Sequence, residues 1–452
     1  MIPDPYTGNL LTEGGRFAGR REIFGWAMFD FANQAFTLLI ITVVFGELFT
    51  TVIVGDRGDN FRFANLLWSL ALAVSFLLVV LTAPLCGAIM DYRAEKKRFL
   101  FASYLITVVA TALLYFVEPG YIWLGMLLII VSNYAYSMGE SFIAAFLPEL
   151  GPPEFLGKIS GFGWALGYIG GLCAAGFTLI VLGEASAENF ERIRWVGPFA
   201  AGFFLLAAIP TFVWLKERGR AQPVVTNYHQ IAWRRVTTTL HELHYFQDLS
   251  RFLVSLLFSM AGVYIIIAFA FIYGAQVIGW DESVRNIMFI IVQITAAAGA
   301  MGLGWGQDRI GAKRTYQLTL LLWVSAVIAI WATPQVTALV NHLFGWQWQA
   351  QYVFLVVGCL AGLSLGSSQS ASRALVGVFS PLAKSAEFFG FWGLANKLAG
   401  VLGIVMLGSL QAVVGLQGAI LLCALLFVLA IMVCMGVNEH RGRAVALQWR
   451  RL

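Results

Sequence analysis

Twelve long apolar stretches punctuate this chain, near 24–53, 64–90, 98–117, 121–147, 157–183, 196–215, 252–278, 284–305, 314–333, 349–376, 385–412 and 416–436. A helix rises about 1.5 Å per residue, so roughly 20 apolar residues cross the hydrocarbon core of a bilayer. Within that core each backbone N–H and C=O has to be satisfied by its own segment, which makes helices of such runs. Composition agrees: 59% of the 452 residues are hydrophobic and 12% charged, with a mean hydropathy of +0.78, outside the range of soluble domains. The expected fold class is all-α integral membrane, with twelve transmembrane helices.

Orientation follows from the basic residues, because cytoplasmic loops retain Lys and Arg during insertion. With both termini in the cytoplasm, 23 of the 29 basic residues fall on that side, counting Arg373 as a border case. The net charge of +5 reflects this bias and needs no nucleic-acid partner. Residues 1–23 are polar and lead into a run too long for a signal-peptide core, so the first helix should be retained. All five cysteines, Cys86, Cys173, Cys359, Cys423 and Cys434, fall in apolar runs without metal-ligand spacing, and read as small buried residues. No cofactor or metal is expected. The absence of a P-loop argues against an ATP-driven pump, and no Ser/His/Asp constellation points to an enzyme.

Between the sixth and seventh runs lies one long polar connection, 216–251, dividing the chain into an expected six-helix bundle at 1–215, a cytoplasmic linker, and a second bundle with a tail at 252–452. Within the linker Trp233, Val236, Leu240, Leu243 and Phe246 recur at three- and four-residue spacing, with Arg234, Arg235 and His241 between them. That is the pattern of a helix lying at headgroup level.

The two bundles repeat one pattern 217 residues apart, Gly87-Ala-Ile-Met-Asp91-Tyr-Arg93 with Lys96-Lys97-Arg98, and Gly304-Trp-Gly-Gln-Asp308-Arg309 with Gly311-Ala-Lys313-Arg314. Each copy lies where the chain leaves the membrane and turns back. The pair resembles the loop between the second and third helices of major facilitator transporters and its echo between the eighth and ninth. The resemblance implies two pseudo-symmetric six-helix bundles, with Asp91, Arg93, Asp308, Arg309, Lys313 and Arg314 governing opening of the cytoplasmic face. A second echo aligns Ser160–Gly171 with Phe389–Gly400, placing Tyr168 opposite Lys397. The glycines of both segments read as a packing seam that lets helices approach closely.

An ionisable group near the bilayer centre costs at least about 2.5 kcal/mol on insertion scales, so it faces a partner or a wet cavity. Four stand out: Asp30, Glu140, Arg373 and Lys397. Asp30, Asn33, Gln34 and Thr37 share one face of the first helix. Asn133, Ser137, Glu140 and Ser141 form a similar stripe on the fourth, and Gln369 shares a face with Arg373 on the tenth. Arg373 lies eight residues before Pro381, as Glu140 lies eight before Pro148. The alternative reading makes the four charges structural ion pairs, two acids against two bases.

Phe29-Asp30-Phe31-Ala32-Asn33-Gln34-Ala35-Phe36, the glycine-rich Ser160–Gly171, and Ser372-Arg373 with Ala386-Glu387-Phe388-Phe389-Gly390 together resemble one branch of the superfamily, the autophagy-related vacuolar amino-acid effluxers and their bacterial relatives. Departures are Gln34 in place of the branch's Ser, and a seventh helix around Ser259–Tyr264 that lacks the acidic residue many members carry. The expected function is that of a secondary transporter, exporter or exchanger, of a small polar solute such as an amino acid or other zwitterion, with the chain expected as a monomer. Substrate contacts would come from Lys397, Arg373, Asn33, Gln34, Tyr168 and Gln369, and proton coupling from Asp30 and Glu140. Its expected partners are the solute, the lipid bilayer and protons, and its expected location a bacterial cytoplasmic membrane. Rival readings are an organic-anion transporter of the same fold, and a membrane sensor or assembly factor acting through the linker.

Overall fold

The apolar runs are helices in the computed structural model, which describes residues 17–58, 61–182, 188–219, 233–234, 236–238, 244–345 and 347–449. Among the described residues eleven helices are long and apolar enough to cross a membrane: α1 (Arg20–Val54), α2 (Arg62–Arg93), α3 (Lys96–Phe116), α4 (Ile122–Leu150), α5 (Pro153–Gly176), α6 (Phe190–Trp214), α7 (Gln247–Ala270), α8 (Ser283–Ile310), α9 (Ala312–Phe344), α10 (Ala350–Phe379) and α11 (Leu382–Gln411). A twelfth span, α12, is a pair, Val413–Ala419 and Leu421–Met435, bent by 63°. A polar helix, α13 (Glu439–Gln448), follows. Of the linker's proposed stripe, Leu240 and Leu243, with Arg235 and His241, lie outside the described residues.

The chain forms two compact units. One comprises residues 1–153, 166–239 and 382–394; the other 154–165, 240–381 and 395–452. The first turns of α5 thus belong with the second unit, and those of α11 with the first.

In the first unit α1 is fastened near its start. Trp26 Nε1 donates to the Ile143 carbonyl of α4 at 2.8 Å, and Thr211 Oγ1 of α6 donates to the Gly25 carbonyl at 2.7 Å. Past Ala35 the helix widens into π-turns over Phe36–Val43 and again over Phe49–Val54. Such turns are rare, and concentrate where a helix has been adapted to function. Phe36, Leu39, Phe45 and Phe49 from this stretch are buried with Ile129, Leu114 and Val117 in one apolar cluster.

In the second unit α10 lies close against α8. Gly358, Gly362 and Gly366 repeat every fourth residue, and a Cβ at each would run into Met288, Thr295 with Val292, and Ala296. In lipid, helix association rests on such packing, and small residues permit it. Trp323 of α9 stacks on Phe427 of α12 at 5.3 Å and donates to Ser368 Oγ of α10 at 3.0 Å.

Each half also braces the start of its first helix to the exit of its sixth. Glu22 takes both Arg218 Nη atoms at 2.6 Å and the Lys216 N–H at 3.1 Å. Asp248 takes Arg441 Nε and Nη2 at 2.7 and 2.8 Å and the Asn438 N–H at 2.7 Å. The neighbouring acids satisfy orphan N–H groups of the next helix start: Glu217 that of Lys97, and Glu439 those of Ala312 and Lys313.

Candidate transport site and helix-end latches

The repeated aspartates both face helix N-termini. Asp91, at the end of α2, accepts the N–H groups of Ala386 and Glu387 in the first turn of α11 at 3.1 and 2.9 Å. Asp308, at the end of α8, lies against the start of α5, where a Cβ on Gly157 would come within 2.8 Å of its Oδ1. A carboxylate there meets unpaired donors and the positive end of the helix dipole together. Close approach depends on the motif glycines. A Cβ on Gly87 would strike the Ala386 carbonyl, and one on Gly304 would come within 2.7 Å of the Gly157 carbonyl.

Around Asp91 the first unit adds a buried ionic cluster. Lys96 Nζ donates to Glu149 Oε1 and Ser385 Oγ, each at 2.5 Å, and lies 3.7 Å from Asp91. Lys96 and Glu149 are 2% and 8% exposed. Lys313, the counterpart of Lys96 one repeat later, instead donates to the Met435 carbonyl at 3.0 Å. The other basic residues of the motif stand apart from the latches: Arg309 and Arg314 are exposed, and Arg93 pairs with Glu95 at 2.9 Å. Sequence reading missed Lys96, Glu149 and Ser385, although the first belongs to the repeated pattern and the second follows Pro148.

Arg373 is committed to α5. Its Nε donates to Ser160 Oγ at 3.1 Å and its Nη2 to the Ser160 carbonyl at 3.0 Å, while Ser160 Oγ donates to the Ser370 carbonyl at 2.9 Å. The guanidinium lies 5.2 Å from the centre of the Trp164 ring, a cation–π arrangement that carries more weight away from water. At 2% exposure Arg373 has the surroundings of a strut.

The polar face of α1 divides by depth. Asp30 and Asn33 are buried, and Gln34 and Thr37 half-buried. Asn33 Oδ1 meets no hydrogen-bond donor among the described residues. Thr37 Oγ1 donates to Tyr136 OH at 2.6 Å, and that hydroxyl donates to Glu140 Oε1 at 3.0 Å. One tyrosine therefore joins the α1 stripe to the acid of α4. The α4 stripe itself splits, because Asn133 donates to Ser75 Oγ of α2 at 2.6 Å. Tyr168 is buried on α5, beside Gly167, whose added Cβ would lie 3.3 Å from the Asp30 carbonyl. In the second unit Lys397 is 7% exposed on α11, one turn before Gly400, which packs on the Tyr264 ring of α7. Gln369 is half-buried on α10.

Membrane-spanning helices, a repeated Gly-x-x-x-Asp latch and charges within the spans define a major facilitator transporter. Solved structures with a similar fold include the human organic anion transporter MFSD10 (TETRAN), with a TM-score of 0.69 at 16% identity, covering 92% of this chain and 99% of that one. The proton:xylose symporter XylE gives 0.68 at 14%, covering 95% and 97%; at such identities the likeness concerns the fold. Residues 67–156 and 154–447 match the family described as vacuole effluxer Atg22 like, and the chain belongs to it. An uncharacterized MFS-type transporter, YxiO of Bacillus subtilis (strain 168), is 25% identical over 94% of this chain and 96% of its own length. Autophagy-related protein 22-1 of Aspergillus niger is 20% identical over 69% of this chain, which spans 52% of that relative.

Proposed function

We propose that this transporter exports or exchanges a small zwitterion of the amino-acid class, coupled to protons, by alternating access. The observation that carries the reading is the presence of buried charge of both signs on membrane helices, Asp30 on α1 and Lys397 on α11. Each unit offers polar groups of its own to such a solute, Lys397 a cation in the second and Asn33, whose Oδ1 meets no donor among the described residues, an acceptor in the first. Arg373, bonded to Ser160, acts in this reading as a strut of the α5 end and not as a contact. Asp30 carries the proton, and Glu140, held through Tyr136, is the second acid of the same unit. The expected membrane is the bacterial cytoplasmic membrane, with both termini inside.

Binding comes first as a test. Thermal shifts of the purified protein against amino acids, amines and organic anions should single out zwitterions, since a ligand of the folded state raises stability by mass action. Stabilisation by organic anions alone would favour the rival substrate class. In proteoliposomes, Asp30→Asn is expected to lose pH-gradient-driven accumulation and keep solute exchange, because exchange needs no net proton movement. Accumulation by that variant under an imposed gradient would pass the coupling role to Glu140.

A further inference from the structure

A cavity of about 660 Å³ opens where α2 ends, α3 begins and α6 ends, beside the Asp91–Lys96 cluster. Arg93, Lys97 and Arg98 line it with Glu95 and Glu217, and Phe101 and Phe212 form its apolar part. The order along α3 is that of a phospholipid. Basic residues occupy the first turn, then Phe101, 48% exposed, and beyond it Leu105, Ile106 and Val109 present a continuous apolar face. Across the groove α6 exposes Ile209, Val213 and Trp214, the last an aromatic of the kind found at headgroup level.

Among the described lining residues three basic side chains stand against two acids. Glu95 is shared, its Oε2 lying 2.9 Å from Arg93 Nε and its Oε1 2.6 Å from Arg98 Nη1. Two guanidiniums therefore face one carboxylate. Lys97 Nζ donates to a neutral partner, the Leu215 carbonyl, at 2.7 Å. Glu217, the second acid, accepts the Lys97 backbone N–H at 2.8 Å. A phosphodiester above two apolar chains supplies the missing negative charge and covers the exposed rings together.

We propose that this cavity holds one anionic phospholipid, its phosphate against Arg93 and Arg98 and an acyl chain along Phe101 and Phe212. Phosphatidylglycerol and phosphatidylcholine of identical chains, titrated into delipidated full-length protein, would be compared by native mass spectrometry. Wild type should retain one phosphatidylglycerol in preference to phosphatidylcholine. Arg98 is 78% exposed, so Arg98→Gln should fold and reduce the preference; with Arg93→Gln added, the loss should reach roughly tenfold. Arg62→Ala, at the opposite end of α2 from Arg93, should leave the preference unchanged. Excess inorganic phosphate should fail to displace the lipid, since it lacks the chains. Equal retention of both lipids, an unaltered preference in the double variant, or displacement by phosphate would overturn the assignment.

Discussion

Lys397 and Arg373 are both buried cations of membrane helices, with different side-chain chemistry. Arg373 has fixed directional partners, and its planar guanidinium serves one hydroxyl, one carbonyl and one ring at once. Lysine offers a compact charge on a flexible stem, suited to a partner that comes and goes. On the proposed reading, Lys397→Met should insert and fold yet bind carboxylate-bearing ligands about 10- to 100-fold more weakly, the range for losing one charged hydrogen bond. Calorimetric titration of the purified variant measures this, and wild-type affinity would remove Lys397 from the site. Tyr136 belongs to the same scale. A tyrosine on an apolar helix reads as packing, and this one does stack on Phe36 at 4.9 Å. Its hydroxyl role emerges only once Thr37 and Glu140 are seen on either side.

At the scale of elements, close helix contact and helix widening do the positioning. The α8–α10 seam rests on backbone-to-backbone approach, which cannot yield as a side chain can. Gly366→Ala drives its methyl into the Ala296 backbone, and should cost about 1–3 kcal/mol or more through overpacking. Gly302 on α8 has open space where its Cβ would lie, so Gly302→Ala should gain about 0.5–1 kcal/mol from helix propensity alone. Thermal denaturation of the two variants beside wild type gives the comparison; equal melting points would refute the seam. In α1, the change from α- to π-turns falls between Asn33 and Thr37. It alters the angular spacing of the polar stripe at the point where Thr37 meets Tyr136.

For the whole molecule, the proposed alternating access requires the helix-end latches to part during each cycle. Asp91→Asn and Asp308→Asn remove the carboxylate charge from a helix N-terminus, an interaction worth up to about 2 kcal/mol when partly buried. Each variant should keep ligand Kd near wild type while turnover in proteoliposomes falls, since neither aspartate belongs to the proposed binding set. Asp91→Asn should also lower thermal stability more than Asp308→Asn, because it takes a negative neighbour from buried Lys96. Parallel loss of binding and transport in well-folded protein would contradict a latch role.

What the sequence determined by itself is what local chemistry enforces. Apolar runs long enough to cross a bilayer have to become helices, because no solvent there can satisfy the backbone, so the spans were legible, although the ninth helix runs on to Phe344, eleven residues past its apolar run. The latch aspartates were legible because the pattern Gly-x-x-x-Asp occurs twice, and a repeat reveals itself without knowledge of any partner. Tertiary structure decided which groups meet. Lys96 finds Ser385 across 289 residues of sequence and Arg373 finds Ser160 across 213. Neither pairing leaves a periodic trace, since a helix face records burial but not the identity of what covers it. The commitment of Arg373 to Ser160 and of Lys96 to the Asp91 cluster therefore depended on the folded chain.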